Sequence, residues 1–321
     1  MPKSSDMINS RVDIFYKIME DCVLCPRKCH VNRKAGKLGY CRAGFHLKAA
    51  RVIPHRGEEP AISGTRGSGA IFFSHCNLRC GFCQNYQISQ LGMGEEMTPE
   101  ELSEKMLSLQ DRGCHNINLV TPTPFLPHIV KAISIADAHG LMIPIVYNTN
   151  GYERVEILRL LEGIVDIYLP DAKYGSDRAA FQNSDVGDYS RFNIRALKEM
   201  KRQVGNLKAN EIGIGEKGVI VRHLALPNDA AESYRLLDMI AKELGADTHV
   251  SLMGQYFPCY KALGGSELGR RLTDDEFRGY YLAIESLGFE NGWVQYPDEV
   301  DGSFLPDFEV NSGWNRNSIN E

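Results

Sequence analysis

The chain has no run approaching the roughly eighteen apolar residues of a membrane-spanning helix. Its first residues, MPKSSDMINSRVDIFYKIMED, lack the apolar core of a secretory signal. The expectation is therefore a cytoplasmic protein with no membrane partner. An excess of positive charge is also missing: 36 Lys and Arg against 41 Asp and Glu leave a formal charge of -5 and a pI near 6.0. That balance excludes a broad electrostatic grip on nucleic acid. Cysteine is not scarce. There are nine in 321 residues, and seven of them fall in two tight groups. In a chain expected in a reducing compartment, such clustering means metal rather than disulfides.

The stretch IFFSHCNLRCGFCQNYQ, Ile71 to Gln87, sets Cys76, Cys80 and Cys83 at C-x3-C-x2-C directly after a short apolar run that reads as a strand. Three soft donors on a strand-end loop suit an iron-sulfur cluster or zinc. A cube of four irons takes four ligands, so without a fourth cysteine one iron stays open to another molecule. Gly81 is expected to let the backbone approach the sulfurs. The other group, Cys22, Cys25, Cys29 and Cys41, has C-x2-C-x3-C-x11-C spacing, with Pro26, Gly36 and Gly39 at its turns. It has its own fourth thiolate and no apolar strand before it, which reads as a saturated second metal site. Spacing alone does not choose between an auxiliary [4Fe-4S] cluster and tetrahedral zinc.

Periodicity predicts a short helix over 12–20 and hairpins over 47–69, with a domain boundary near Thr65. The box Thr98-Pro99-Glu100-Glu101 opens a helix over 99–111 that Gly113 stops. Strands then alternate with helices. The strands fall at 116–120, 142–146, 165–169, 218–224, 248–252 and 293–295. The helices fall at 125–139, 153–161 and 189–204, with one capped near Asn228 or Asp229 and one opened by Thr273-Asp274-Asp275-Glu276. About six βα units imply an α/β fold with a parallel sheet and right-handed crossovers, either doubly wound or curled into a partial barrel. In both architectures ligands gather at the carboxyl ends of the strands. The chain divides into a metal-binding segment over 1–65, the α/β unit over 66–300 and a polar tail over 301–321, read as a docked strap or a disordered end.

The string CNLRCGFC on a loop after a strand resembles the cluster loop of radical S-adenosylmethionine (SAM) enzymes. The N-terminal CPRKC, followed by Gly36-x-x-Gly39-x-Cys41, is similar to an uncharacterised branch of pyruvate formate-lyase activating enzyme homologues. The resemblance implies a partial (β/α)6 TIM-like barrel with an N-terminal cysteine-rich extension. It also implies a [4Fe-4S] cluster on Cys76, Cys80 and Cys83, whose open iron is chelated by the amino and carboxylate groups of SAM, with Phe82 near the adenine.

Other strand ends carry weaker likenesses. Thr121-Pro122-Thr123-Pro124 stands where many relatives have Gly-Gly-Glu, which leaves Thr121 to accept from the methionine amino group. Tyr147-Asn148-Thr149-Asn150-Gly151 is similar to an Asp- or Glu-Thr-Asn-Gly segment, with Asn148 in place of the acid; a plain turn with positive φ at Gly151 explains the Asn-Gly pair equally well. Leu169-Pro170-Asp171-Ala172-Lys173 resembles an Asp-x-Lys motif, Asp171 for ribose hydroxyls and Lys173 for the methionine carboxylate. Arg222, five residues before Pro227, resembles an arginine that flanks the adenosyl group. His223 reads as a satisfied strand residue, Cys114 as core, and Cys259 as a buried inert thiol.

The implied activity is reductive cleavage of SAM to a 5'-deoxyadenosyl radical for hydrogen abstraction, fed by an electron donor such as flavodoxin or ferredoxin. The hydrogen donor is either a glycine α-carbon of a partner protein or another peptide or small molecule. A rival class is a non-catalytic iron-sulfur electron-transfer protein. It needs no sulfonium pocket, and the open three-cysteine site with Asp171 and Lys173 argues against it.

Overall fold

The computed structural model describes residues 5–265 and 267–297. The expected tail at 301–321 lies outside the described residues. In chain order the elements are α1 (Ser5–Ile18), β1 (Leu47–His55), α2 (Pro60–Ser63), β2 (Ser68–Phe73), α3 (Tyr86–Ser89), β3 (Glu95–Met97), α4 (Pro99–Asp111), β4 (Ile117–Val120), α5 (Leu126–Ala138) and β5 (Ile145–Thr149). They continue with α6 (Val155–Arg159), β6 (Ile167–Pro170), α7 (Asp177–Ser184), α8 (Tyr189–Val204), β7 (Lys208–Ala209), β8 (Gly215–Leu224), α9 (Ser233–Leu244), β9 (His249–Met253), α10 (Asp274–Ser286) and β10 (Gly292–Gln295).

One sheet carries the fold, in the order β10-β9-β8-β6-β5-β4-β2-β1-β3, with β7 beside β8. Every pairing from β2 to β10 along that path is parallel. The order follows the chain without reversing, so the sheet is singly wound; a doubly wound sheet would turn back at a switch point. Right-handed crossovers then put the long helices on one face. The largest core cluster accordingly joins strand residues such as Ile71, Leu119 and Tyr168 to Leu102, Ile133, Leu197 and Leu237 of α4, α5, α8 and α9. The opposite, inner face carries a small apolar floor of Ile62, Val146, Ile167, Leu169 and Ile220. β1 continues the sheet beyond β2 in antiparallel register, Val52 opposite Ile71, and β3 pairs with β1. The expected boundary at Thr65 falls in the connection between α2 and β2.

Local chemistry accounts for most element ends. Thr98 accepts from Glu101 N at 3.2 Å while Glu101 accepts from Thr98 N at 2.7 Å, and Thr273 with Glu276 repeats that box at α10. α5 is apolar almost all round because it lies between the sheet and α1, where Tyr16 bonds His128 at 2.8 Å and Ser134 donates to Asn9 at 2.8 Å.

Several elements differ from expectation. α1 begins at Ser5, α6 is shorter than 153–161, and β5 starts at Ile145 because Gln110 holds Met142 N at 2.6 Å in the preceding turn. α7 was not expected; Ser176 caps it by accepting from Ala179 N at 3.1 Å. α9 starts at Ser233, and Asp229 accepts from Ser233 N at 2.7 Å from outside the helix. Among the described residues no helix is long and apolar enough to cross a membrane.

Candidate active site

The loop after β2 turns at once: His75 takes φ 67°, and its N–H donates to Ile88 O at 2.8 Å. Cys76, Cys80 and Cys83 follow, and each sulfur has a polar neighbour from a different part of the chain. Asn150 Nδ2 donates to Cys76 Sγ at 3.2 Å and Leu78 N stands 3.4 Å from the same atom. Ser184 Oγ lies 2.9 Å from Cys80 Sγ, and Ser89 Oγ lies 3.2 Å from Cys83 Sγ. Burial first, then the Cys80 thiol, pushes Cys76 up to about 12, and Cys83 moves the same way for the same reasons. Without metal these groups are protonated thiols. Gly81 serves a purpose other than the expected one. An added Cβ would meet Lys261 and Asn183 in ordinary contact and no sulfur; the residue instead exchanges backbone bonds with Asn183, Lys261 and Ala262 that pin the loop.

Lys173 stands over this loop. Its Nζ is 2.6 Å from Asp171 Oδ2, with side chains 18% and 22% exposed. Burial opposes its charge, but Asp171 and the nearby Cys80 and Cys83 outweigh burial and hold the ammonium above the usual lysine range. Positive charge therefore faces the three sulfurs. Phe82 is buried, with its ring 5.9 Å from that of Tyr256, and its carbonyl accepts from Cys259 Sγ at 3.2 Å. Burial raises the Cys259 thiol to about 11, which suits an inert group. The Asn150-Gly151 pair is both turn and ligand support. Gly151 takes φ 74°, an added Cβ there would stand 2.2 Å from Asp171 O, and Asn150 Nδ2 bonds both Cys76 Sγ and Asn77 Oδ1.

Asn148 and Arg222 lie one step deeper, among carboxylates that sequence reasoning missed. Arg222 is 3.0 Å from Glu58 Oε2 and 3.1 Å from Glu59 Oε1. The second contact is ionic only, since Arg222 Nε does not aim its hydrogen at a partner. Asn118 Nδ2 donates to Glu58 Oε1 at 2.9 Å, and Arg222 donates to Asn148 Oδ1 at 3.3 Å. Burial raises the Glu59 carboxyl against the pull of Arg222. In sequence Glu58-Glu59-Pro60 looks like a solvated acidic pair. The signal that could have found it was the arginine on a parallel strand, which needs an acid when buried.

Thr121 sits at the end of β4 with φ 59°, unusual for a β-branched residue. Thr123, two residues on, bonds Glu153, a fully buried carboxyl also held by Thr149 at 2.5 Å and Tyr147 at 3.4 Å. Burial lifts Glu153 to about 7. His223 is satisfied by Ala172 O and Ser233 Oγ, both at 2.8 Å, and Cys114 is core.

The N-terminal cysteines assemble beside this site. Cys22, Cys25, Cys29 and Cys41 line one cavity together with Arg33, Asn77, Thr123 and Pro124. Gly39 is required there, because a Cβ would fall 2.8 Å from Cys29 Sγ. Buried Arg33 anchors the segment through Pro124 O at 2.6 Å and Gly44 O. Lys28, His30, Arg42 and His75 all take positive φ, and each is next to a cysteine of one group or the other. Such strain in non-glycine residues marks loops whose shape is held for a purpose. Among the described residues no three Cys, His, Asp or Glu side chains converge on one point as ligands of a single ion. In the N-terminal group the four thiols surround a cavity. Three sulfurs with hydrogen-bond support and a lysine ammonium nearby fit an incompletely ligated cluster; four lining one cavity fit a saturated one.

The profile of the Radical SAM superfamily matches residues 70–232, just over half of the chain. The chain belongs to that superfamily. An uncharacterised protein of Methanocaldococcus jannaschii is 34% identical to this radical SAM chain over 281 residues, 84% of this chain and 76% of that protein. The pyruvate formate-lyase-activating enzyme of Clostridium pasteurianum is 28% identical over 193 residues, 57% of this chain and 73% of that one. Among solved structures, Streptococcus suis SuiB bound to precursor peptide SuiA matches at 14% identity and a TM-score of 0.46, over 72% of this chain and 47% of that one. Native anSMEcpe with bound AdoMet and Cp18Cys peptide matches at 13% and 0.47, over 68% and 60%. This chain therefore spans less than two thirds of either structure. Radical SAM membership implies a [4Fe-4S] cluster and SAM.

Proposed function

We propose that the chain is an enzyme that cleaves SAM reductively, with its cluster held by Cys76, Cys80 and Cys83. The observation that carries this reading is the Lys173–Asp171 pair beside the three sulfurs. When bound, the cluster supplies the electron that splits the carbon–sulfur bond of SAM into methionine and a 5'-deoxyadenosyl radical. The chain's own residues bind, orient and exclude water. Lys173 offers a charge-assisted bond to the methionine carboxylate, Asp171 accepts from ribose hydroxyls, and the buried Phe82 and Tyr256 rings form an apolar wall for the adenine. Thr121 is assigned to the amino group. Asn148 and Arg222 act from the Glu58–Glu59 network behind it and hold the barrel interior polar. Asn150, Ser184 and Ser89 fix the sulfurs. Residues 66–300 form the catalytic unit and 1–65 its metal-binding extension, whose thiols, arranged around a space, favour an auxiliary iron-sulfur cluster over zinc. The thiol-rich sites suit a reducing, cytoplasmic setting.

The hydrogen donor we propose is a glycine α-carbon of a partner polypeptide, supported by the match to a pyruvate formate-lyase-activating enzyme. The test is anaerobic turnover with deuterated candidate polypeptides and mass spectrometry of the 5'-deoxyadenosine formed. Deuterium carried from a glycine supports the reading; deuterium arriving only from another peptide position or a small metabolite replaces it.

A further inference from the structure

Resting on that reading, we infer that the N-terminal cysteine segment is the docking face for an acidic one-electron carrier protein. Three observations meet there.

The first is charge. Residues 21–42 hold Arg27, Lys28, Arg33, Lys34, Lys37 and Arg42 against a single carboxylate, Asp21, in a chain whose formal charge is -5. The flanking acids are already engaged: Asp21 with His30 at 3.0 Å, Glu20 with Lys34 at 2.9 Å, and Asp185 with Tyr40 at 2.7 Å. Lys28, Lys37 and Arg42 are exposed, and among the described residues none of them has a carboxylate within 4.0 Å. The second is position. Lys28 adjoins Cys29 and Arg42 adjoins Cys41, both in left-handed backbone that fixes where the side chains leave the loop.

The third is the shared wall. Asn77 follows Cys76 and also lines the four-thiol cavity. Arg27 Nε donates to Asn77 O at 3.1 Å and its guanidinium lies 3.6 Å over the Tyr40 ring, while Arg79 donates to Tyr40 O at 2.8 Å. A carrier seated on the extension is thus connected to the three-sulfur loop through Arg27, Tyr40, Asn77 and Arg79. The rest of the molecule is net acidic and repels such a carrier, so complementary charge selects this face and speeds encounter. The step is one electron: the carrier is oxidised by one, the iron held by the cluster loop is reduced by one, and no bond or proton changes hands.

The experiment is anaerobic biolayer interferometry of the reconstituted protein against an acidic flavodoxin and, separately, bulk tRNA, from 50 to 500 mM salt. Binding of flavodoxin should weaken at least tenfold across that range. Lys28→Glu/Lys37→Glu/Arg42→Glu should lower its low-salt affinity at least tenfold with iron content unchanged, and Lys208→Glu/Lys217→Glu, on exposed strand-start lysines, should not. If the triple variant loses iron, Lys37→Glu alone and the wild-type salt series decide. Flavodoxin binding that is absent, insensitive to salt or equally weakened by the Lys208/Lys217 variant overturns the inference, as does salt-sensitive binding of tRNA alone. Dithionite-driven 5'-deoxyadenosine formation by the wild-type protein, which needs no carrier, tests the underlying enzymatic reading separately.

Discussion

The two cysteine groups share a wall at Asn77 but are built on different terms. The loop after β2 brings three sulfurs beside a partly buried ammonium, with side-chain neighbours from α3, α7 and the end of β5. The N-terminal group brings four sulfurs around a cavity. Burial raises Cys25 and Cys41, Arg33 opposes that rise at Cys41, and the side-chain support is sparse. The first arrangement has three sulfurs beside a lysine ammonium; the second has four sulfurs and no lysine among its lining residues. Ligand count and surrounding charge together, rather than the cysteines alone, separate a reactive centre from a saturated one.

The largest effect expected from breaking this contrast is at the cluster loop. Cys80→Ala should abolish the SAM-responsive cluster and 5'-deoxyadenosine formation while the N-terminal metal remains; iron and sulfide analysis with activity checks it. Next, Cys22→Ala/Cys25→Ala should lose the metal of the extension and keep the SAM-responsive cluster. A double variant that retained all its iron and zinc would sink the second site.

Lys173→Ala should leave iron content intact and weaken SAM affinity roughly ten- to hundred-fold, since a lost charge-assisted bond in a desolvated site costs about 1.5–3 kcal/mol. The dependence of 5'-deoxyadenosine release on SAM concentration reads this out, and an unchanged curve would place Lys173 outside the pocket.

The smallest effect concerns Glu153. Its folded pKa is raised to about 7 from an ordinary 4.5. Below pH 4.5 both states are protonated, so the group has no influence. Between 4.5 and 7 the unfolded chain ionises while the folded one keeps its proton, and stability falls as pH rises, by at most about 1.4 kcal/mol per pH unit. Glu153→Gln should flatten that slope in denaturant titrations, and a slope unchanged by the substitution would show that Glu153 does not titrate in this window.

Much of the fold was legible because its signals are local. The boxes at Thr98 and Thr273 close as written, and strands at 117–120, 167–170 and 249–253 fall where short apolar runs predicted them. α7 was missed because its sequence, DRAAFQNS, has too short an apolar stripe to read, and it is held by docking its C-terminal residues Asn183 and Ser184 onto the cluster loop. Within the site, the cysteines and the Asp171–Lys173 pair were visible because sequence spacing places them on one loop or one strand end. Glu58, Glu59 and Glu153 were not, because what makes them unusual is burial, and burial comes from partners on β4, β5 and β8 that only the closed sheet brings close. Arg222 shows the same limit: its motif was readable, its engagement with two carboxylates was not.

The central claim, a site-differentiated cluster on Cys76, Cys80 and Cys83 open to SAM, is tested most directly by electron paramagnetic resonance of the anaerobically reconstituted, reduced Cys22→Ala/Cys25→Ala protein. Removing the extension's metal leaves one signal to follow. The account predicts a [4Fe-4S] spectrum that shifts when SAM is added; a spectrum unchanged at saturating SAM would contradict it.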